Sequence, residues 1–261
     1  MIPIKAITSK ENPLYKFIKS LNQKKARESS KLFLIEGLRL VEEAVYGGVK
    51  MKYLIINETV EDFPKFNQDC RILRLKNHLF KSLSNTINSQ GIIAVAEYME
   101  ISLDDITLDA NPFIVVLNGI QDPGNAGTII RTAAAAGTSA VFLTRGTVEL
   151  YNPKVVRATM GSLFQVSIVN DLDDKRTVKW LKDHVINILV ADLSGQEYYY
   201  STNLKEPLAL VIGNENKGPD DIWKKSADKK IKIPILGRTE SLNASVAAGV
   251  LIYEVIRQRS I

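Results

Sequence analysis

Short apolar segments rich in β-branched residues recur along the second half of this chain, and helical patterns separate them. Each apolar segment is bounded by turn-forming residues, which is the pattern of strands buried on both faces of a parallel sheet. The predicted strands lie near 113–117, 140–143, 165–169, 187–191, 208–212 and 231–235. With helices between them, the last running to about Arg257, they predict an α/β fold with a mostly parallel sheet.

The first hundred residues predict a smaller α/β unit. Strand patterns near 32–35, 53–56, 72–75 and 92–96 alternate with helical patterns at 12–20, 37–46 and 78–83. The stretch from Glu100 to Pro112 is rich in Asp and poor in apolar residues, as expected of a linker. We therefore predict two domains, 1–105 and 106–261.

Polar loops punctuated by glycine follow three of the predicted strands. They span residues 118–127, 213–219 and 237–243, and the first and third each lead into a helix. A polar loop between a strand and a helix N-terminus places backbone N–H groups at the carboxyl edge of the sheet, where open α/β sheets bind ligands. We therefore expect the three loops to converge on one ligand site.

Two common nucleotide-binding patterns do not fit these loops. A dinucleotide fold needs G-x-G-x-x-G after its first strand, but counting back from Gly127 and Gly124 reaches Asp122 where the first glycine should stand. A phosphate-binding G-x-x-x-x-G-K-[ST] loop does not occur, since Lys217 precedes Gly218 instead of following it. The three loops therefore predict neither a dinucleotide-binding fold nor a nucleoside triphosphatase.

The three loops resemble, in order and spacing, the motifs of the SpoU/TrmH-type RNA ribose 2′-O-methyltransferases of the SPOUT superfamily. The resemblance covers 111–261, and the N-terminal part resembles the substrate-binding domain of many members. The matching residues are Asn118, Asp122-Pro123, Asn125, Gly127 and Arg131; Ile212-Gly213-Asn214-Glu215 with Gly218; Ile233-Pro234 and Ser241-Leu242-Asn243-Ala244-Ser245-Val246-Ala247; and the segment from Tyr151 to Ser162.

This resemblance implies a small α/β substrate-binding domain followed by a trefoil-knotted, mostly parallel-sheet methyltransferase domain that binds S-adenosylmethionine. It further implies a homodimer that methylates a ribose 2′-hydroxyl of structured RNA. By analogy with members that carry such an N-terminal domain, we expect large-subunit (23S) ribosomal RNA. A transfer RNA substrate, or a non-catalytic RNA-binding role in ribosome assembly, remains the alternative.

The resemblance also assigns expected roles to individual residues. The expected cofactor-binding residues are Gly213, Asn214, Ile233 and Leu242, and the expected catalytic residues are Arg131, Asn125, Glu215, Ser241 and Asn243. Arg131 is expected beside the target nucleotide, either assisting deprotonation or clamping a phosphate. A guanidinium, whose pKa ordinarily exceeds ~12, is better suited to the second role. The alternatives are structural roles: a turn glycine for Gly213, core residues for Ile233 and Leu242, a helix-surface residue for Arg131 and a helix cap for Asn243.

The charge distribution favours an anionic partner. The net charge is +5, and seven basic residues precede residue 28 against one acid, Glu11. We expect five of them to contact RNA phosphates, with a solvated helix face as the alternative: Lys16, Lys19, Lys24, Lys25 and Arg27.

The cysteine, the histidines and the length of the apolar runs exclude further classes of protein. A single cysteine, Cys70, allows no intramolecular disulfide and fits a reducing compartment. The two histidines, His78 and His184, stand apart from each other and from carboxylate clusters, so we expect no metal site. Since no apolar run approaches ~20 residues, we expect no membrane span and a cytoplasmic protein.

Overall fold

The computed structural model describes residues 4–61, 63 and 70–260. The strands are β1 (Ile4–Ile7), β2 (Leu32–Glu36), β3 (Met51–Asn57), β4 (Arg71–Leu75), β5 (Ile92–Glu97), β6 (Phe113–Asn118), β7 (Ala140–Thr144), β8 (Ile168–Leu172), β9 (Asn187–Ala191), β10 (Glu197–Tyr198), β11 (Leu208–Gly213) and β12 (Lys229–Lys232). The helices are α1 (Pro13–Ser20), α2 (Lys24–Ser30), α3 (Leu38–Tyr46), α4 (Asn77–Leu83), α5 (Pro123–Ala135), α6 (Pro153–Ala158), α7 (Asp174–Asp183), α8 (Asp221–Ser226) and α9 (Ala244–Arg259).

The described chain divides into two compact units. The first takes residues within Met1–Met99 and Glu149–Phe164, and the second takes Glu100–Val148 and Gln165–Ile261. The segment 149–164 therefore packs with the N-terminal unit, although in sequence it lies within the domain expected to begin at residue 106. The boundary at 105/106 stays a prediction.

A five-stranded mixed sheet organises the first unit. Its order is β1-β4-β3-β5-β2, with β1, β4 and β3 parallel to one another and β5 antiparallel to both of its neighbours. Helix α1 begins where the Asn12 carboxamide accepts hydrogen bonds from the backbone N–H groups of Leu14 and Tyr15. Its apolar face, with Tyr15 and Ile18 buried, packs into the core beneath the sheet.

A buried polar contact fastens segment 149–164 within this unit. The Arg27 guanidinium donates through Nε and a terminal nitrogen to the two carboxylate oxygens of Glu149, the first at 2.8 Å. Tyr98 donates to the same carboxylate at 3.2 Å and stacks on Tyr151 with ring centroids 3.9 Å apart. Burial, followed by the charge of Glu149, raises the pKa of the Tyr98 hydroxyl. These contacts explain why the segment belongs to the first unit.

A seven-stranded sheet, parallel throughout, organises the second unit. Its order is β10-β12-β9-β11-β6-β7-β8, and its central strands are almost fully buried. This architecture confirms the predicted α/β class with a parallel sheet; the knot stays a prediction. No helix of the described ranges is long and apolar enough to cross a bilayer.

Several element boundaries differ from the sequence predictions. Strand β8 begins at Ile168 instead of residue 165, after a 3₁₀ turn at Ser162–Phe164. Strand β12 ends before Pro234, which has no N–H to donate to a neighbouring strand. The sequence reading also missed β1, α2 and the two-residue strand β10.

Candidate active site

The first two motif loops begin side by side at the carboxyl edge of the parallel sheet. Strands β6 and β11 are neighbours, and their register pairs Asn118 with Gly213 at the last position of each. One residue further on, the Asn214 side chain donates to the Gly119 carbonyl oxygen at 2.8 Å. The first and second loops, nearly a hundred residues apart in the chain, are therefore hydrogen-bonded to each other where they leave the sheet.

A cavity of about 400 Å³ lies between the second and third loops. This volume falls within the roughly 300–1,000 Å³ of small-molecule sites. All four residues expected to bind the cofactor line it, and so do two of the expected catalytic residues: Gly213, Asn214, Ile233 and Leu242, with Glu215 and Ser241. Its walls combine apolar side chains with polar, acidic and basic groups in similar measure.

Gly213 has a structural reason to be glycine. A Cβ there would lie 2.0 Å from the backbone nitrogen of Pro219 and 2.4 Å from the carbonyl carbon of Gly218. The second loop thus folds back tightly over its own strand, and Asn214 and Gly218 form an isolated antiparallel bridge. The glycine shapes the cavity wall by permitting this close backbone approach.

Asn125 connects the three loops through its side chain. Its Nδ2 donates to Glu215 Oε1 at 2.9 Å, and its Oδ1 accepts from Asn243 Nδ2 at 3.0 Å. The backbone N–H of Asn125 donates to Asp122, the N-cap of α5, at 2.7 Å. One carboxamide on the first loop therefore holds a carboxylate of the second and an amide of the third.

Asn243 also begins the C-terminal helix. Its Oδ1 accepts hydrogen bonds from the backbone N–H groups of Ser245 and Val246 at 2.9 and 3.3 Å, which makes it the N-cap of α9. The cap orients the carboxamide so that Nδ2 is left to donate to Asn125. Capping and bridging are thus two uses of one side chain.

Arg131 lies on α5, well past the N-terminal turn that carries Asn125. Its side chain is exposed, has no hydrogen-bond or ion-pair partner among the described residues, and does not line the cavity. The structure therefore does not bring Arg131 into the cavity with the cofactor-binding candidates. It leaves the guanidinium available to a ligand outside the chain.

The cavity contains an ion pair that sequence reasoning missed. Asp192 follows β9, and its carboxylate lies 3.2 Å from the ammonium of Lys224 on α8, with both residues lining the cavity. Although burial raises it, hydrogen bonds from Ser194 and the charge of Lys224 hold the pKa of the Asp192 carboxyl below its ordinary value. The only sequence signal was the position of Asp192 at a strand's carboxyl end.

The five predicted RNA-binding residues occupy different environments. Lys19 and Lys25 are exposed, while Lys16 pairs with Glu11 and Lys24 lies 3.5 Å from Glu28, both pairs at the surface. Arg27 corrects the expectation, because its side chain is 3% exposed and its guanidinium is held by Glu149 and the Leu21 carbonyl. Despite the opposing effect of burial, Glu149 raises the pKa of Arg27. Arg27 serves the core of the unit and is not free to bind phosphate.

Known families match both parts of the chain. The SpoU rRNA Methylase family model matches residues 112–253, and the MRM3-like substrate binding domain model matches 12–94. The chain belongs to the SpoU rRNA methylase family.

Individual proteins also resemble this chain over nearly their whole length. The chain is 32% identical to the 23S rRNA (guanosine(2553)-2'-O)-methyltransferase RlmP of Bacillus subtilis, over 97% of this chain and 99% of that protein. The AdoMet-bound rRNA methyltransferase of Sinorhizobium meliloti superimposes with a TM-score of 0.90 at 31% identity, covering 97% of this chain and 98% of the other. The SpoU methyltransferase AviRb of Streptomyces viridochromogenes, in complex with AdoMet, gives a TM-score of 0.88 at 26% identity, covering 96% and 99%.

Proposed function

We propose that this protein transfers a methyl group from S-adenosylmethionine to a ribose 2′-hydroxyl of ribosomal RNA, with the large-subunit 23S RNA as its substrate. The observation that carries the proposal is the meeting of the three motif loops: the second and third line one cavity, and Asn125 of the first is hydrogen-bonded to Glu215 and Asn243. One relative named as a 23S ribosomal RNA methyltransferase, RlmP of Bacillus subtilis, matches 97% of this chain, including its N-terminal unit. Because the relative matched over nearly its full length is a bacterial protein, we propose that the reaction takes place in the cytoplasm.

The residues present fit the cofactor. The cavity has apolar walls for an adenine ring, and the backbone of the second and third loops offers N–H and C=O groups for its polar edge. Carboxylates suited to a sulfonium cation line it as well: Asp192, Glu215 and Glu240. We assign Gly213, Asn214, Ile233 and Leu242 to the cofactor site. When bound, S-adenosylmethionine supplies the electrophilic methyl group.

The protein's own contribution is positioning and charge. Asn125 holds the Glu215 carboxylate at the cavity wall, and Asn243 holds Asn125. Ser241 lines the same cavity on the third loop. Fixing these polar groups before substrate arrives lowers the entropy lost in aligning the reacting atoms, which is a large part of catalysis by orientation. We assign Asn125, Glu215, Ser241 and Asn243 to this constellation.

Arg131 acts as a phosphate clamp in this proposal. An exposed guanidinium with no carboxylate partner in the described chain can form two parallel hydrogen bonds to a phosphate of the RNA. That contact would orient the target ribose without requiring the guanidinium to lose a proton. The role also accounts for the position of Arg131 outside the cofactor cavity.

We further propose that the protein is a homodimer through α9. Four apolar side chains on α9 are more than one buried face of a helix needs: Val246, Val250, Ile252 and Val255. The structure buries Ile252 and Val255 completely, leaves Val250 half-buried and exposes 53% of Val246. Tyr253, 52% exposed, lies two turns beyond Val246, so the outer side of α9 carries an apolar stripe. Light scattering should show a dimer, and an active monomer would refute this assembly.

The enzymatic proposal is tested by methylation and binding together. Purified protein should bind S-adenosylhomocysteine in a calorimeter and transfer labelled methyl to 23S ribosomal RNA transcribed in vitro, at one 2′-hydroxyl located by its resistance to alkaline cleavage. Transfer RNA under the same conditions should remain unlabelled. Cofactor binding without methyl transfer to either RNA would favour the assembly role, and labelled transfer RNA would redirect the substrate assignment.

A further inference from the structure

Two tyrosines stand exposed at one edge of the parallel sheet. Strand β10 is one of the two edge strands of this sheet, and within the described residues it pairs with β12 alone. Tyr198, on β10, is 41% exposed, and Tyr200, in the following 3₁₀ turn, is 51% exposed. Their rings are nearly parallel, at 10°, with centroids 5.4 Å apart. The edge of the sheet thus presents a flat aromatic pair to solvent.

Lysines accompany this pair. The register of β10 and β12 sets Tyr198 opposite Lys232, and the Lys232 ammonium lies 5.2 Å from the centre of the Tyr198 ring. Lys230, on the same strand, is exposed, whereas Lys229 is paired with Glu197 at 3.2 Å. Lys232 also lines the 400 Å³ cavity. Lys232 therefore contacts both the aromatic pair and the cavity assigned to the cofactor, although neither tyrosine lines that cavity.

A second, open groove of about 440 Å³ begins at Tyr200. Hydroxyl, amide and cationic groups line it, and none of the described lining residues is acidic: Tyr200, Ser201, Thr202, Asn203, Lys205, Arg257 and Gln258. Arg257 is paired with Glu254 at 2.7 Å, so Lys205 supplies the cationic group without such a partner among the described residues. The groove offers hydrogen-bond donors and positive charge to a polar anion.

This combination of groups matches the chemistry of an unpaired nucleic-acid strand. Flat aromatic rings stack on base faces, which are exposed only where bases are unpaired, while lysines and hydroxyls meet the phosphates and sugars. We propose that Tyr198, Tyr200 and the adjoining groove form a stacking platform for a single-stranded segment of the RNA substrate. The inference rests on the proposed function, and it adds an RNA contact within the second unit.

The test measures fluorescence anisotropy of a labelled single-stranded oligoadenylate with the full-length protein. The double variant Tyr198→Ala/Tyr200→Ala should bind about five- to 150-fold more weakly for each base that loses its stacking partner. The variant Tyr198→Phe/Tyr200→Phe keeps both rings and should retain parental affinity. Val185→Ala, at an apolar side chain 82% exposed in the second unit and outside both the cavity and the groove, is the control and should bind as the parent does.

Three measurements separate the possible failures. Unchanged affinity of the double alanine variant, or equal loss in the phenylalanine variant, would overturn the platform. Calorimetry with S-adenosylhomocysteine should give parental affinity in every variant, which shows that the fold and the cavity are intact. If the alanine variant instead changes from dimer to monomer in light scattering, the aromatic pair belongs to an interface between copies, and the platform is refuted. A parent that binds neither the cofactor product nor RNA would fail the proposed function itself.

Discussion

The side chain of Asn125 gives the sharpest test of the proposed active site. In Asn125→Ala the Glu215 carboxylate loses the amide donor at 2.9 Å, and Asn243 loses its acceptor at 3.0 Å. Hydrogen bonds to charged groups contribute about 1.5–3 kcal/mol, and neutral ones about 0.5–1.5 kcal/mol. Because the Asn243 bond lies at the exposed surface, water can replace it, and the Glu215 bond decides the size of the effect.

If the whole free energy of the Asn125–Glu215 hydrogen bond stabilises the transition state, its loss should lower kcat/KM roughly ten- to 150-fold. Asn125→Asp should be worse than Asn125→Ala, because it sets a second carboxylate against Glu215 while still accepting from Asn243. Asn125 does not line the cavity, so the affinity for S-adenosylhomocysteine should stay near the parental value in both variants. The loss should therefore appear in catalysis and not in cofactor binding.

The assay is transfer of labelled methyl to ribosomal RNA at concentrations below its KM, so that the rate reports kcat/KM, with calorimetry for the cofactor product. Ser245→Ala is the matched control, since it removes a 2.7 Å hydrogen bond to the same Asn243 oxygen but leaves the backbone cap and the Asn125 contact. It should react at the parental rate. Parental turnover by Asn125→Ala, or a loss confined to cofactor affinity, would show that the bridge between the loops does not serve the reaction.

Three further predictions address other parts of the molecule. Arg131→Ala should abolish methyl transfer while leaving S-adenosylhomocysteine affinity unchanged by calorimetry, because the side chain lies outside the cavity; near-parental turnover would make Arg131 structural. Arg27→Met should lower the free energy of unfolding by about 3–5 kcal/mol in urea denaturation, because it removes the cation that pairs with Glu149 and leaves that largely buried carboxylate with the Tyr98 hydrogen bond; Arg27→Met/Glu149→Leu should recover most of that loss. Replacing Lys19 and Lys25 by Gln should flatten the salt dependence of RNA binding by about 0.7 for each lost phosphate contact, and an unchanged slope would remove this face from the RNA site.

Local patterns were sufficient to predict the elements that carry the site. Strands such as β6 and β11 are continuous apolar runs ending in polar loops, and both features are visible within a few residues of sequence. The caps of α5 and α9, Asp122 and Asn243, likewise act on backbone groups two or three residues away. Short-range physics therefore placed the loops, and their order matched a known set of motifs.

Local sequence patterns could not predict contacts between residues that are distant in the chain. Asp192 and Lys224 come together only because β9 and α8 pack on neighbouring parts of one unit, and nothing near either residue predicts the other. Arg27 looked like one more cation in a basic run, but its pairing with Glu149, 122 residues away, buries it. Charge patterns in sequence report residue type, whereas burial depends on the whole packing.

The local sequence specifies the strands, the loops at their ends and the residue types that those loops present. Which of those residues meet depends on the order of the strands and on where each loop returns, and neither is encoded within one local segment. The tertiary structure placed Gly213 against the backbone of Pro219, set Asn125 between Glu215 and Asn243, and left Arg131 outside the cavity. The residue types of the site can be recognised in the sequence, whereas their arrangement in space depends on the packing of the parallel sheet and its loops.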